Sequence, residues 1–137
     1  MGTGAGALNV ARRRSITLTE AEQRLMEVLW QKGEATVAEV TAALPPPPLA
    51  YNSVLTTMRI LERKGYVAHD EAGRAYLYRA LVEREEAAGH AVGHLLSRFF
   101  DNSAGSLALR LIENERPSND ELFRLKALIE EYEERND

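Results

Sequence analysis

The segment at residues 49–80, LAYNSVLTTMRILERKGYVAHDEAGRAYLYRA, limits the possible folds more than any other part of the chain. Residues 51–64 have the apolar spacing of a helix of about four turns, and Gly65 follows where a glycine ends a helix in the left-handed conformation. Two strand-like runs come next, at 66–69 and 75–79, and the acidic, glycine-containing stretch 70–74 separates them. The pattern predicts an exposed helix followed directly by a short β-hairpin.

The predicted helix at 51–64 has two chemically different faces. Its apolar residues lie within one arc and must face a core: Val54, Met58 and Leu61. Its polar and cationic residues cluster on the opposite side: Asn52, Thr56, Arg59 and Arg63. Asparagine and arginine form bidentate contacts with adenine and guanine in the major groove of DNA. A helix of this kind beside a hairpin is the arrangement with which a winged helix-turn-helix reads DNA.

The residues of this helix leave other interpretations open. A polar outer face is ordinary for any surface helix, and an acidic partner protein could dock on the same cations. A salt-dependent footprint on a palindromic DNA would separate DNA binding from protein binding. A small hydrolase is a third possibility, but the sequence has neither a glycine-rich phosphate loop after a strand nor a Gly-x-Ser-x-Gly elbow. We therefore expect no enzyme and no catalytic residues.

Two capping boxes predict two more helices ahead of this segment. The first box is Thr19 with Glu22, and its helix has the inward residues Ala21, Leu25, Val28 and Leu29, with Met26 and Trp30 beside them. The second is Thr36 with Glu39, and its helix has the inward residues Val37, Val40 and Leu44. Four prolines at 45–48 then interrupt the helical pattern. Residues 16–81 are thus predicted to be a winged helix-turn-helix, preceded at 1–15 by a disordered arm or tag remnant.

From residue 82 the chain reads as long amphipathic helices, at 82–101, at 104–114 and after Ser118. Three helices with wide apolar faces bury little when each folds only on itself, so a second copy of the chain is the simplest partner. We predict a helical dimerisation domain at 82–137. The apolar residues assigned to its interface are Val92, Leu95, Phe99, Leu107, Leu111, Leu122, Leu125 and Ile129.

The overall charge alone argues weakly against nucleic-acid binding, but its distribution along the chain does not, and the composition predicts a cytoplasmic protein. The net charge is −4, yet residues 1–80 hold 10 lysines and arginines against 8 acidic residues, while residues 81–137 hold 7 against 13. Cysteine is absent, which excludes disulfides, and no apolar run is long enough for membrane insertion. His90 and His94 have a spacing that can bind metal, but no further histidine or cysteine completes a set. We therefore predict no metal and no cofactor.

The order and spacing of these motifs resemble one family. LTEAEQRLMEVLWQKGEATVAEVTAAL, LAYNSVLTTMRILERKGYV, RAYLYRAL and GSLALRLIENE are similar to the penicillinase and methicillin-resistance repressors and their copper-transport relatives. The resemblance implies a mainly α fold with a small β-wing, an N-terminal winged helix-turn-helix and a C-terminal helical dimerisation region. It also implies a homodimeric repressor of a palindromic operator. The cysteine motif of the copper-responsive branch is missing here, so that metal switch is ruled out.

The resemblance assigns DNA contacts to the third helix, at about 51–64, and to the wing. The predicted contact set is Tyr51, Asn52, Ser53, Thr56, Arg59, Arg63, Lys64 and Arg74. In the family, a membrane-bound sensor metalloprotease typically releases the repressor by cutting the dimerisation helices at an Asn-Phe bond. The position that corresponds here is Arg110-Leu111, so the resemblance implies the protease as a partner without supplying its cleavage site.

Overall fold

The computed structural model describes residues 17–136, so the arm predicted at 1–15 lies outside the described residues. The elements follow in the order α1 (Glu20–Lys32), β1 (Glu34–Thr36), α2 (Val37–Ala43), α3 (Tyr51–Lys64), β2 (Val67–Ala72), β3 (Ala75–Ala80), α4 (Arg84–Phe99), α5 (Ala104–Glu115) and α6 (Asn119–Asn136). The predicted fold class, mainly α with a small β-wing, is confirmed.

The chain forms two compact units, one ending at His94 and the other beginning at Leu95. Residues 84–94 of α4 belong to the first unit and its last five residues to the second, while the functional boundary predicted after residue 81 stays a prediction. Ala87 packs against the core of the first unit, and the Trp30 indole Nε1 donates a hydrogen bond of 2.9 Å to the Val82 carbonyl just before α4. The apolar spacing of α4 is continuous, so it does not indicate at which residue the helix passes from the first unit to the second.

Both predicted capping boxes form at the ends of the first two helices. The Thr19 hydroxyl accepts from the Glu22 backbone N–H at 3.2 Å, while the Glu22 carboxylate accepts from the Thr19 N–H at 2.9 Å. Thr36 and Glu39 repeat the arrangement at the start of α2. The prediction that Ala21 faces inward is wrong, since Ala21 is exposed and Glu22 is buried instead. The capping bond directs the Glu22 carboxylate inward, where it accepts a hydrogen bond from the Lys64 ammonium group.

The hairpin is tighter than predicted and belongs to a larger sheet. Strands β2 and β3 pair from Val67 with Ala80 out to Ala72 with Ala75, which leaves a turn of two residues rather than five. A third strand that the sequence did not reveal, β1, pairs antiparallel with β3 and makes the order β1-β3-β2. With three residues, β1 is too short for an alternating pattern, so only its partner strand defines it.

The core of the first unit lies between the helices and one face of the sheet. Apolar side chains from all three helices and all three strands meet there, and the largest of those fully buried are Tyr66, Tyr78, Leu25, Met26, Leu29, Met58 and Leu61. Gly65 ends α3 with φ 87° and ψ 14°, and the Tyr66 N–H donates back to the Leu61 carbonyl at 2.9 Å. The predicted left-handed stop is thereby confirmed as the bonding pattern of a Schellman motif.

The second unit contains the end of α4 with α5 and α6. Ser118 and Glu121 cap the last helix: the Ser118 N–H donates to the Glu121 carboxylate at 2.9 Å, and the Glu121 N–H donates to the Ser118 hydroxyl at 3.1 Å. Among the described residues of α4, α5 and α6, no side chain is buried. Within residues 17–136, no helix has both the length and the apolarity that a membrane span needs.

Candidate nucleic-acid interface

The outward face of α3 carries four of the predicted contact residues. Val54, Met58 and Leu61 are fully buried on the inner side, as their spacing requires. The opposite side is exposed and is formed by Asn52, Thr56, Arg59 and Arg63. Tyr51 and Ser53, in the first turn, are exposed on the two sides of this face. The face presents amide, hydroxyl and guanidinium groups to solvent along most of the helix.

The loop before α3 is fixed by an arginine of α1. The Arg24 guanidinium donates to the Pro45 carbonyl at 2.7 Å and to the Pro47 carbonyl. Ala50 is the N-cap residue of α3 and makes no side-chain hydrogen bond to the helix. The first backbone N–H groups of a helix have no acceptor within it, and they attract anions such as phosphate. The start of α3 can therefore accept an anion beside Tyr51 and Ser53.

The wing tip presents an arginine. The two-residue turn consists of Gly73 and Arg74, and Gly73 has φ 66°, a value that glycine adopts without strain. Arg74 is exposed at this turn, which places the predicted wing cation at the end of the hairpin. Further down the strands, the Arg79 guanidinium lies 3.4 Å from the Asp70 carboxylate at an exposed position, where an ion pair contributes little to stability.

Lys64 does not share the exposed face of α3. Its ammonium group donates to the Glu22 carboxylate at 2.7 Å and to the Thr17 carbonyl at 3.1 Å. The side chains of Lys64 and Glu22 are only 16% and 6% exposed. The pair joins the last turn of α3 to the first turn of α1, so the structure gives Lys64 a role inside the unit. Neighbouring Arg63 points to solvent.

The inner face of the wing is connected to α3 through His69. The His69 Nδ1 atom lies 2.8 Å from the Glu62 carboxylate of α3. The His69 ring stacks on Tyr76 with centroids 4.1 Å apart and an interplanar angle of 18°, and the Tyr78 ring lies 5.3 Å away. We call Glu62, His69 and Tyr76 the wing clamp. Sequence reasoning missed Glu62, because nothing in the pattern of α3 marks the one polar residue that turns toward the hairpin.

The two tyrosines of β3 differ in their surroundings. Tyr78 is buried in the core, whereas Tyr76 is 43% exposed at the wing clamp. Burial, together with the nearby Glu62 carboxylate, raises the pKa of Tyr78. Burial also raises the pKa of Tyr66, with smaller contributions from Glu22 and Glu86. Both phenols are therefore held in their neutral form.

Most side chains of the predicted dimer interface are exposed in the single chain. Val92, Leu95, Phe99, Leu111, Leu122 and Ile129 are all large, apolar and open to solvent, with Phe99 at 70%. Leu107 and Leu125 are partly buried within the second unit. Helices α5 and α6 also border an open groove of about 900 Å³, lined in part by Leu111, Ile112, Phe123 and Leu128. The second unit thus has an open groove and an exposed apolar surface.

The histidines of α4 do not form a metal centre in this chain's described part. Among residues 17–136, no three His, Cys, Asp or Glu side chains are grouped as a metal ion requires. His90 instead packs edge-on against Tyr66, with its Nδ1 atom 3.5 Å from the phenol oxygen. This contact belongs to the packing of α4 on the first unit.

A helix trio, a three-stranded sheet and a basic hairpin tip define the first unit as a winged helix-turn-helix. The family model for the penicillinase repressor matches residues 18–131. The chain therefore belongs to the penicillinase repressor family, a family of transcriptional repressors, and the predicted family is confirmed. This membership also supports the prediction that the chain is not an enzyme.

The similarity to individual proteins extends over nearly their whole length. The chain is 25% identical to the penicillinase repressor of Bacillus licheniformis over 119 residues, which cover 86% of this chain and 93% of the relative. It is 20% identical to the methicillin resistance regulatory protein MecI of Staphylococcus aureus (strain N315) over 117 residues, 85% of this chain and 95% of that protein.

Two solved structures also show similarity to the chain. The solution structure of the DNA binding domain of the repressor BlaI is 23% identical, covers 50% of this chain and 85% of its own, and gives a TM-score of 0.46. The oxidised form of MarR from E. coli is 17% identical, covers 96% of this chain and 93% of its own, and gives 0.43.

Proposed function

We propose that the chain is a homodimeric transcriptional repressor that binds a palindromic DNA operator through α3 and the wing. The observation that carries the proposal is the pairing of an exposed Asn-Thr-Arg face on α3 with Arg74 at the wing tip, in a member of the penicillinase repressor family. Side chains of these types read base edges in the major groove and neutralise the phosphates beside it.

The contacts divide into two classes by their chemistry. Asn52, Thr56, Arg59 and Arg63 occupy the ridge of α3 that enters a groove, and we assign them to base edges. Tyr51, Ser53 and the first backbone N–H groups of α3 are suited to phosphate, as is Arg74. Lys64 is left out of the proposed set because Glu22 already holds its ammonium group.

A second copy of the chain is the proposed partner of the second unit. The described parts of α4, α5 and α6 contain no buried side chain, although they carry large apolar residues on several faces. A unit of this kind gains its core by interleaving with another copy of itself. Two-fold symmetry then presents two α3 helices to major grooves about one helical turn, or a small multiple, apart.

Dimerisation also supplies a route to release. A monomer reaches only half of a palindromic operator, so any event that separates the subunits lowers the affinity for DNA by linkage. We propose proteolysis of the second unit by a membrane sensor metalloprotease, or a weakening of its interface, as that event.

Selection from random duplexes followed by gel-shift titration tests the proposal. We expect a palindromic consensus, with an affinity that falls steeply as salt rises. Arg63→Ala and Thr56→Ala should each lower the affinity for that consensus by about 1–3 kcal/mol through the loss of one contact. Lys32→Ala, at an exposed lysine in the last turn of α1 that lies outside both the proposed contact set and the second unit, is the control and should leave the affinity unchanged.

Two outcomes would contradict the proposal. Wild-type affinity in both α3 variants would remove the contact face that we assign. The absence of any enriched duplex would favour the alternative function, a winged helix that binds an acidic protein partner through the same cations.

A further inference from the structure

We infer that His69 is a positioning residue, which holds the wing against α3 so that Arg74 meets DNA at a fixed place beside the helix face. The inference rests on the proposed function and deepens it, because it adds a group that touches no DNA itself. Its basis is the wing clamp, formed by Glu62, His69 and Tyr76.

The wing tip needs such support because the third strand does not reach it. Strand β1 pairs with β3 only at Leu77, Tyr78 and Arg79. Beyond Leu77 the sheet has only two strands, and an isolated two-stranded ribbon is marginally stable in water. The residues that end in Arg74 therefore lack sheet partners on one side and depend on side-chain contacts for their orientation.

The clamp lies where the two-stranded part begins. The stacked ring of Tyr76 is two residues from Arg74, and the histidine ring beneath it lies 4.1 Å away. The His69 Nδ1 atom also lies 2.8 Å from the Glu62 carboxylate. Glu62 directly precedes the exposed Arg63 in α3. The short backbone segment from Arg74 to Tyr76, followed by the contacts of the wing clamp, thus links the wing tip to α3.

The clamp also places an acidic group away from the expected phosphates. Glu62 is the only acidic residue within α3, and a free carboxylate beside Arg59 and Arg63 would repel DNA. Its hydrogen bond to His69 directs it toward the wing, and its side chain is partly buried at 35% exposure. The same contact therefore orders the wing and removes a repulsive charge from the contact face.

The clamp is tested first on the free protein by ¹⁵N relaxation of the full chain. In His69→Ala, we expect the order parameters of Gly73 and Arg74 to fall from about 0.85 toward 0.6, while those of β1 stay unchanged. His90→Ala is the matched control, because that histidine packs on Tyr66 and not on the wing. Unchanged wing order parameters in His69→Ala would overturn the inference, whatever the protein binds.

A double-mutant cycle on the selected operator then tests the consequence for binding. Arg74→Ala should weaken binding about tenfold and reduce the salt slope by about 1, as expected for one lost phosphate contact. His69→Ala should reproduce most of that loss in the wild-type background and have a clearly smaller effect in the Arg74→Ala background, where only repulsion by the released Glu62 carboxylate remains. His69→Asn, which can still donate to Glu62, should recover part of the loss.

The outcomes separate the inference from the proposed function. Equal effects of His69→Ala in both backgrounds would mean that His69 does not act through Arg74 and would overturn the positioning role. A wild-type chain that binds no duplex would refute the proposed function together with the DNA role of His69, while the relaxation data would still decide whether the clamp orders the wing.

Discussion

The pair formed by Glu22 and Lys64 allows a sharp prediction, because it separates a structural lysine from a neighbouring arginine on the same helix. The Glu22 carboxylate accepts two hydrogen bonds, from the Lys64 ammonium at 2.7 Å and from the Thr19 N–H at 2.9 Å. Replacing Lys64 by methionine keeps the aliphatic stem and the helix propensity but leaves a nearly buried carboxylate with one donor.

The cost follows from burial. Removing one partner of a fully buried ion pair costs about 3–5 kcal/mol. Because the Lys64 side chain is 16% exposed, water can replace part of the lost interaction, and we expect Lys64→Met to lower the free energy of unfolding by about 2–3 kcal/mol. Glu22→Gln in the same chain should recover about 1–2 kcal/mol, since a neutral amide still accepts from Thr19 and needs no cation.

Urea unfolding followed by circular dichroism measures both effects, at one fixed protein concentration because association shifts apparent stability. Arg63→Met is the control, and its exposed position predicts a change within about 0.5 kcal/mol. In operator titrations we expect the opposite order, with the larger effect from Arg63→Met. Lys64→Met should leave the affinity per active molecule within about twofold, whereas Arg63→Met should cost about 1–3 kcal/mol. Equal stabilities for the two variants, or equal losses of DNA binding, would refute the assignment.

Two further predictions concern the second unit and the buried phenols. Ile129→Asp should weaken the proposed dimer by at least about 2 kcal/mol in equilibrium sedimentation. Ile129 is chosen because it is 54% exposed in the single chain, whereas Leu125 is partly buried there, so that the change acts on the interface and not on the protomer. An intact dimer would count against the interface. Burial raises the pKa values of Tyr66 and Tyr78 above the ordinary 10.0. The stability that this shift contributes is therefore complete below pH 10.0 and is lost as the pH rises through the pKa values of the folded state. The free energy of unfolding then falls by up to about 1.4 kcal/mol per pH unit for each phenol. Tyr66→Phe or Tyr78→Phe should make that decline shallower in urea titrations from pH 8 to 11, and an unchanged decline would contradict the argument.

The helix that carries the candidate site was predictable because local signals mark both of its ends. The proline run stops the preceding helix, Gly65 stops α3, and the apolar period assigns Val54, Met58 and Leu61 to the core. Each of these signals acts within one element and depends only on backbone sterics or helical geometry. The observed bounds, Tyr51–Lys64, therefore coincide with the predicted range.

The features that the sequence did not reveal depend on contacts between distant elements. Lys64 and Arg63 look alike in the sequence, but only Lys64 meets a carboxylate that lies 42 residues earlier in the chain. Strand β1 exists because β3 offers it a partner, and Glu62 turns toward the wing because His69 lies there. Helix periodicity predicts which side of a helix faces outward, whereas the partner of each polar group depends on tertiary packing.

In the proposed mechanism, the position of α4 allows release without unfolding of the first unit. The start of α4 is attached to the first unit by the Trp30 bond to the Val82 carbonyl and by the Arg84 guanidinium at 3.2 Å from Glu27. Within residues 17–136, the buried apolar residues lie between Leu25 and Tyr78, and none of them comes from the second unit. A cut beyond His94 would therefore leave that core intact while removing the proposed dimer contacts. Halving a nanomolar binding free energy of about −12 kcal/mol leaves about −6 kcal/mol, a dissociation constant of tens of micromolar. In the proposed mechanism, separation of the subunits is thus sufficient for release, and no rearrangement of α3 is needed.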